Sequence, residues 1–478
     1  MSWLVLLNVL EWFIRIAMVL VILQRRLPPP TSLAWLSIVF FQPELGILTY
    51  WLVGENRLAQ KRVEQHRQML AAMRSGAGSD GSPASTAAPS TENSRPIPVS
   101  RQAERLTGLP IIGGNDVRLI DDTDEMIRQL IDDIDAARRH VHLLYYIYVP
   151  DETGRRVADA LLRAAKRGVT CRLLADAVGS RRLFNRKGLS HRLNAAGVRT
   201  VAALPAAPLR RRLARVDLRN HRKLAVIDGA VAYSGSQNIV NADYGHRRAG
   251  SWIDMTGRFT GPVVAQLQSV FLEDWAFETD EELRGEDVFP APTATGTMPA
   301  QAVPTGPSQV SVALPRIILA ALNAAQERII ITSPYLVPDQ STMLALTMAA
   351  DRGAQVDLVI PFLSDHPVVS AAGRAYFDQL LDSGVNIYMH SPGMLHAKTM
   401  TVDDSVALLG SSNLDIRSFY LNFELNVLMY GPQITDLMRQ AQVKYIHEAR
   451  PIRPHLWRQR PKVHRLAESA AMLLSPLL

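Results

Sequence analysis

Two apolar runs open the chain, and from about residue 109 helical and strand periodicities alternate. Residues 3–23 are apolar with two charges, Glu11 and Arg15, spaced i,i+4 so that they can pair on one helix face. Arg25, Arg26 and Pro28–Pro30 close this run. A second run spans Ser32 to Val53, broken by Gln42-Pro43-Glu44. Each run approaches the roughly 20 residues that cross a bilayer, so the pattern predicts a transmembrane helical hairpin over residues 1–58. A cleaved signal peptide fits poorly, because the basic residues follow the first run. Two spans put the N-terminus and the large C-terminal part on one side. Arg57, Lys61, Arg62 and Arg67 lie on that side, so the positive-inside bias predicts an inner-membrane protein with a cytoplasmic catalytic part.

Residues 59–108 read as a linker, with a tether of Ser, Gly, Ala, Pro and Thr over 75–100. Asp122-Thr123-Asp124-Glu125 then opens a helix carrying Ile127, Leu130, Ile131 and Ile134 on one face. A strand from Val141 to Tyr148, a helix from Arg156 to Lys166 stopped at Gly168, and a strand around Cys171 follow. The order recurs: Ile317, Ala320, Ala321 and Ala324 mark a helix that leads into the strand Arg328–Thr332. Val337-Pro338-Asp339 repeats Val149-Pro150-Asp151, and Arg352-Gly353 repeats Arg167-Gly168. The chain therefore reads as a duplication of α/β units, over 109–284 and 309–450, joined by a Pro/Ala/Thr/Gly linker at 285–308. In the tail, 451–478, Val463, Leu466, Ala467, Ala470, Leu473 and Leu474 fall at helical spacing, a stripe that docks on the core or rests on lipid; docking is expected.

Composition adds two constraints. The net charge of +7 points to an anionic partner, nucleic acid or an acidic membrane surface. Cys171 is the only cysteine, which excludes an intramolecular disulfide and matches a reducing compartment; on an apolar strand it reads as a buried, inert thiol.

One pattern carries chemistry. His221, Lys223, Asp228, Gly235, Ser236 and Asn238 spell H-x-K-x4-D-x6-G-S-x-N, and His396, Lys398, Asp403, Gly410, Ser411 and Asn413 spell it again. On a strand, i and i+2 face one way, so each histidine should point with its lysine while Arg222 and Ala397 point away. Asp228-Gly229 is a hairpin signal, and the return strand brings Ser236 and Asn238 back beside the histidine. A single H-x-K is a common spacing; two copies packed about a pseudo-two-fold axis would face two imidazoles flanked by Lys223 and Lys398. With Asn238, Asn413, Ser236 and Ser411 this makes a donor-rich cradle for one phosphate. One imidazole can attack phosphorus while the other protonates the leaving oxygen. Asp228 and Asp403 belong to the catalytic motif but sit at the turns, where they should hold the strand in register. Glu424, 28 residues after His396, and Asp254, its counterpart in the first half, are candidates to orient an imidazole.

The doubled motif resembles the phospholipase D superfamily. With Pro43-Glu44-Leu45-Gly46, Gly54 to Leu58, Asp176 to Ser180, Arg219 to Lys223, Asp274-Trp275, Gly393 to Lys398, Asn413 to Phe419 and Leu421 to Glu424, the chain resembles bacterial cardiolipin synthases of the two-membrane-segment type. It departs from that family's common Gly-Gly at Gly235-Ser236 and from its Trp-Arg-Asp at Trp252-Ile253-Asp254. The resemblance implies two phospholipase D-like domains. It also implies transfer of a phosphatidyl group between two phosphatidylglycerols through a phosphohistidine, with His221 attacking and His396 as general acid by analogy. No cofactor or metal is expected, since lysines can supply the charge and no nucleotide-binding fingerprint occurs. The expected partners are phosphatidylglycerol and anionic membrane lipids, the latter contacting the basic run Arg210, Arg211, Arg212, Arg215 and Arg219. No nucleic acid is expected and no obligate protein partner is evident. A hydrolase releasing phosphatidic acid, a nuclease and a non-catalytic anchor are the competing readings.

Overall fold

The computed structural model describes residues 3–25, 29–50, 54, 98–185, 188–205, 217–244, 250–283, 285, 287–307, 312–473 and 475. The chain divides into two compact units, residues 1–60 with 206–218, and residues 61–205 with 219–478. Arg57, Lys61, Arg62, Arg67, the tether over 75–97 and the basic residues Arg210, Arg211, Arg212 and Arg215 lie outside the described residues.

In the smaller unit the first run forms the helix Trp3–Gln24. Pro43 breaks the second into Pro29–Phe41 and Pro43–Thr49. No helix among the described residues is long and apolar enough to cross a membrane. Polar residues interrupt the first helix, and the second run is divided. Met18, Ile22, Val39 and Tyr50 form a small core. Arg15 pairs with Glu11 at 2.9 Å and donates to the Phe40 carbonyl. Most of the remaining apolar side chains face outward, Trp3, Phe13, Leu33 and Phe41 among them.

The larger unit is built on one sheet of fifteen strands whose two halves repeat each other. The first half contains β1 (Ile112–Ile120), β2 (His140–Tyr145), β3 (Thr170–Asp176), β4 (Arg199–Ala203), β5 (Lys223–Ile227) and β6 (Val231–Gly235). The short β7 (Trp252–Ile253) lies outside this sheet, and β8 (Thr256–Thr260) completes the half. The second half contains β9 (Met298–Thr305), β10 (Arg328–Thr332), β12 (Gln355–Pro361), β13 (Asn386–His390), β15 (Thr399–Val402), β16 (Val406–Gly410) and β18 (Glu424–Tyr430). Outside these are the short β11 (Leu336–Val337), β14 (Met394–Leu395) and β17 (Leu414–Asp415), and the edge strand β19 (Ala449–Pro451). The order β1-β8-β6-β5-β2-β3-β4 on one side is matched by β9-β18-β16-β15-β10-β12-β13 on the other. The halves join where β1 runs antiparallel to β9. Helices cover the sheet, and the cores are almost wholly aliphatic and aromatic. Cys171 is buried on β3, and burial pushes its thiol up to about 12, as an inert thiol requires.

Three expectations change. Residues 298–305, assigned to the 285–308 linker, form β9, which pairs with both β18 and β1. Its prolines and small residues imitate linker composition, yet Ala300, Ala302 and Val303 are fully buried. Residues 98–107, assigned to the 59–108 linker, form a helix that buries Val99 and Ala103 against Ile317 and Ala321 of the helix Ala313–Ala324. In the tail, Val463, Leu466 and Leu473 do not dock on the core: all three are exposed, and Leu474 lies outside the described residues.

Arg222, expected to point away from the histidine–lysine face, holds the halves together. It is fully buried, donates to Asp274 at 2.8 Å, and reaches across to the carbonyls of Glu424 and Thr305, each at 3.1 Å. Removing it takes the cation from buried Asp274, which keeps the Asn220 amide, and a side-chain donor from two carbonyls, at a cost of about 3–5 kcal/mol. Arg222→Ala is expected to melt several degrees below the parent in a thermal scan; an unchanged transition would show the buried pair to be dispensable.

Candidate active site

The H-x-K segments lead into their strands: β5 starts at Lys223 itself and β15 at Thr399, directly after Lys398. Each histidine instead sits on a segment that crosses to the opposite half. His221 N–H donates to the Phe423 carbonyl at 2.8 Å, and Phe423 N–H donates to the Arg219 carbonyl at 2.9 Å. β14, immediately before His396, pairs in parallel with β7, and His396 N–H donates to the Ile253 carbonyl at 2.8 Å. Each histidine is thereby laid beside the carboxylate of the other half. His396 Nδ1 lies 2.6 Å from Asp254 Oδ1, and His221 Nδ1 lies 3.4 Å from Glu424 Oε1 and 3.2 Å from Asn422 Nδ2. The pairing is crossed: the first-half carboxylate meets the second-half imidazole, and the reverse.

Ser236 and Ser411 do not join the phosphate cradle. Ser236 Oγ donates to Asp254 Oδ1 at 2.6 Å and accepts from Met255 N–H; Ser411 Oγ donates to Glu424 Oε2 at 2.5 Å and accepts from Leu425 N–H. Both hydroxyls fix the carboxylates that face the imidazoles, a role spacing could not distinguish from phosphate contact. The glycines before them are required by close packing. A Cβ on Gly235 would lie 2.3 Å from the Met255 carbonyl oxygen, and one on Gly410 2.1 Å from Asn426 Oδ1. Asn238 accepts from Ile147 N–H at 3.1 Å and donates to Tyr244, whereas Asn413 Oδ1 is buried without a partner among the described residues.

Asp228 and Asp403 are not within reach of the reaction. Each follows the far end of a hairpin strand, and the five residues Lys223–Ile227 alone span roughly 13 Å. Asp228 accepts from the backbone N–H groups of Arg138, Arg139 and His140 at 2.8–2.9 Å. Asp403 does the same for Gln326, Glu327 and Arg328. Both adopt left-handed backbone, φ 53° and 47°. They anchor the hairpin to the start of β2 or β10, so their place in the catalytic set is corrected to a scaffold role.

Both lysines are buried and donate to their own histidine's carbonyl, Lys223 at 2.5 Å and Lys398 at 2.6 Å. Burial brings Lys223 down to about 8 and, with Lys223 nearby, Lys398 down to about 7, although Glu424 and Asp254 favour the charged form of each. The two lysines, one from each half, thus share one electrostatic environment. Burial raises the Asp254 carboxyl, but His396 and Lys398 outweigh it and bring it to about 2. Burial and Lys398 lower His396 to about 4, leaving a neutral imidazole at pH 7 with Nδ1–H directed at Asp254 and Nε2 without a hydrogen bond among the described residues. Burial also raises Glu424, and its hydrogen bond and charge contact with His221 bring it below the usual carboxylate value. Two aromatic walls, which the motif does not specify, flank the imidazoles. Tyr146 lies 4.2 Å from the His221 ring, and Trp252, stacked on Tyr244, lies 4.5 Å from His396.

A family model described as "Cardiolipin synthase, PLD-like domain" matches residues 130–275 and 318–444, one segment in each half. The chain belongs to this cardiolipin synthase family of phospholipase D-like proteins. Among curated relatives, proteins named cardiolipin synthase A from Yersinia pseudotuberculosis serotype O:3 (strain YPIII) and Yersinia pestis bv. Antiqua (strain Angola) are each 34% identical over 477 residues. Those alignments cover 98% of this chain and 97% of each relative. Among solved structures, a phosphatidylserine synthase from Haemophilus influenzae Rd KW20 superposes with a TM-score of 0.60 at 15% identity. It covers 80% of this chain and 100% of that one, a likeness of fold. The two matched segments hold the two H-x-K motifs, one in each half of the sheet.

Proposed function

We propose that the protein is a cardiolipin synthase that transfers a phosphatidyl group between two phosphatidylglycerols. The observation that carries the reading is the crossed pair of imidazole–carboxylate contacts flanked by two buried lysines. In the first half-reaction the Nε2 of the neutral histidine attacks phosphorus, the P–O bond to the headgroup glycerol breaks, and the other histidine, entering as the imidazolium, gives that glycerol its proton. In the second, the latter histidine takes a proton from the glycerol hydroxyl of another phosphatidylglycerol, whose oxygen attacks phosphorus and breaks the N–P bond. One phosphodiester replaces another, so no nucleotide is consumed. Lys223 and Lys398 neutralise the non-bridging oxygens. The pseudo-symmetric site lets either imidazole attack, and peptide mapping of the trapped adduct assigns the roles that the resemblance gave as His221 for attack and His396 for proton transfer.

The outward apolar side chains of the N-terminal helices support a membrane anchor, which would bring lipid alcohols to the site. Inner-membrane location, with the catalytic halves in the cytoplasm and anionic lipids as neighbours, is part of this proposal. The decisive assay supplies phosphatidylglycerol in micelles or vesicles without nucleotide and follows cardiolipin, glycerol and phosphatidic acid. Equal yields of cardiolipin and glycerol are expected; phosphatidic acid as the only lipid product would assign a hydrolase instead.

The lysines set a pH limit. A lysine lowered toward neutrality loses its cation as pH rises past its pKa, so kcat/KM is expected to fall above pH about 7 to 8. A pH profile of the initial rate at subsaturating lipid checks this; a rate still rising at pH about 10 would remove the requirement for two ammonium groups.

A further inference from the structure

The C-terminal helix Lys462–Met472 is amphipathic, yet it docks with the wrong face for a core helix. Glu468 is its buried residue and accepts from Arg460 at 3.0 Å; Arg460 also faces Asp378 and stacks over Trp457, which packs on Phe377. Val463, Leu466 and Leu473 lie on the opposite side of the helix, 67%, 71% and 78% exposed. At 100° per residue these three fall within one quadrant, roughly 180° from Glu468. Lys462 and Arg465 border the stripe along one edge and form no ion pair among the described residues. Over residues 450–473 six cations stand against a single carboxylate, Glu468. The neighbouring helix Pro367–Arg374, on which this helix packs, exposes Val368, and the loop before it exposes Phe362 and Leu363.

This surface connects to the site. Asp365, in that loop, accepts from the Tyr335 hydroxyl at 2.7 Å, and Tyr335 packs against Trp252, whose ring lies on His396. An exposed apolar stripe edged by basic residues, opposite the buried Glu468, matches an anionic bilayer surface: apolar side chains enter the acyl region while lysine and arginine meet headgroups. We infer that the C-terminal helix is an interfacial membrane helix, which lays Val463, Leu466 and Leu473 into an anionic leaflet and brings the His396 side of the site to the lipid surface. The inference rests on the proposed lipid substrate and names a second contact with the membrane, separate from the N-terminal helices.

The test uses the full chain in vesicles of phosphatidylglycerol and phosphatidylcholine that carry acyl-chain spin labels. An environment-sensitive fluorophore is attached at Leu466→Cys, and at His191→Cys on the exposed face of the helix Leu189–Ala195 as control; native Cys171 is buried. Leu466 is expected to be quenched by the chain labels at least about threefold more than His191. Replacing Val463, Leu466 and Leu473 together by Asp should lower turnover on vesicles about fivefold or more while leaving turnover of a soluble short-chain phosphatidylglycerol within about twofold. Equal quenching at the two sites in protein that still makes cardiolipin would overturn the inference and leave the activity standing. So would shielding of Leu466 that grows with protein concentration in lipid-free detergent, which would mark a second copy as the occupant. Failure to make cardiolipin would instead remove the proposed function, since quenching is read without turnover.

Discussion

Alanine at His221 or at His396 is expected to lower cardiolipin formation by about four orders of magnitude, with the melting transition retained. The size of the effect follows from the roles. Without the attacking imidazole no N–P bond forms; without its partner the leaving glycerol departs as an unprotonated alkoxide. Because the two act on one phosphorus, their losses are not additive, and the double variant should be no slower than the slower single one. Both histidines end crossing segments held by backbone hydrogen bonds, so truncating either ring leaves its segment tied to the other half. Labelled phosphatidylglycerol and a thermal scan are enough to check this. A single variant within about tenfold of the parent would mean that the halves work separately.

The second large effect is at Asp254. Its carboxylate lies 2.6 Å from His396 Nδ1 and is itself held by Ser236. Asparagine keeps the shape but loses the charge, and its amide N–H can select the wrong imidazole tautomer. In a triad with this logic such a change costs about 10⁴ in kcat, and about 10²–10⁴ is expected here. Glu424→Gln should cost less, because Glu424 stands 3.4 Å from His221 and Asn422 shares the contact. The readout that separates positioning from general damage is the reactivity of each imidazole toward an acylating reagent, mapped by peptide. Asp254→Asn should alter His396 and spare His221, although Asp254 and His221 belong to the same half of the sequence. A change confined to His221 would contradict the crossed pairing.

That crossing marks the boundary of what the sequence discloses. The duplication was legible because equivalent letters recur at equivalent spacing, and the sheet repeats it strand for strand. Glu424 and Asp254 stood out by chemistry and place, but spacing along the chain says nothing about which imidazole each meets across a pseudo-two-fold axis. Ser236 and Ser411 looked like phosphate ligands because a hydroxyl near a histidine serves either anion equally well; their partners are carboxylates. Arg222 sat between two motif letters and was read by parity as pointing away. It does, but into the seam between halves. β9 and the helix Pro98–Thr107 were hidden in linker-like composition, since small residues and prolines carry little periodic signal even where they are buried. The tail's apolar stripe was visible; only packing revealed that it faces outward.

The central claim is that two sequence motifs make one phosphatidyl-transfer site. Its most direct test is the stoichiometry of the covalent intermediate. The protein is mixed with phosphatidylglycerol, quenched in alkaline detergent, where a phosphoramidate survives, and weighed intact before peptide mapping. A single shared site predicts one phosphatidyl group per chain at most, on His221 or His396, and none in the variant lacking that histidine. Two groups per chain would mean two independent sites, and no adduct in protein that is turning over would mean that phosphorus never bonds to histidine.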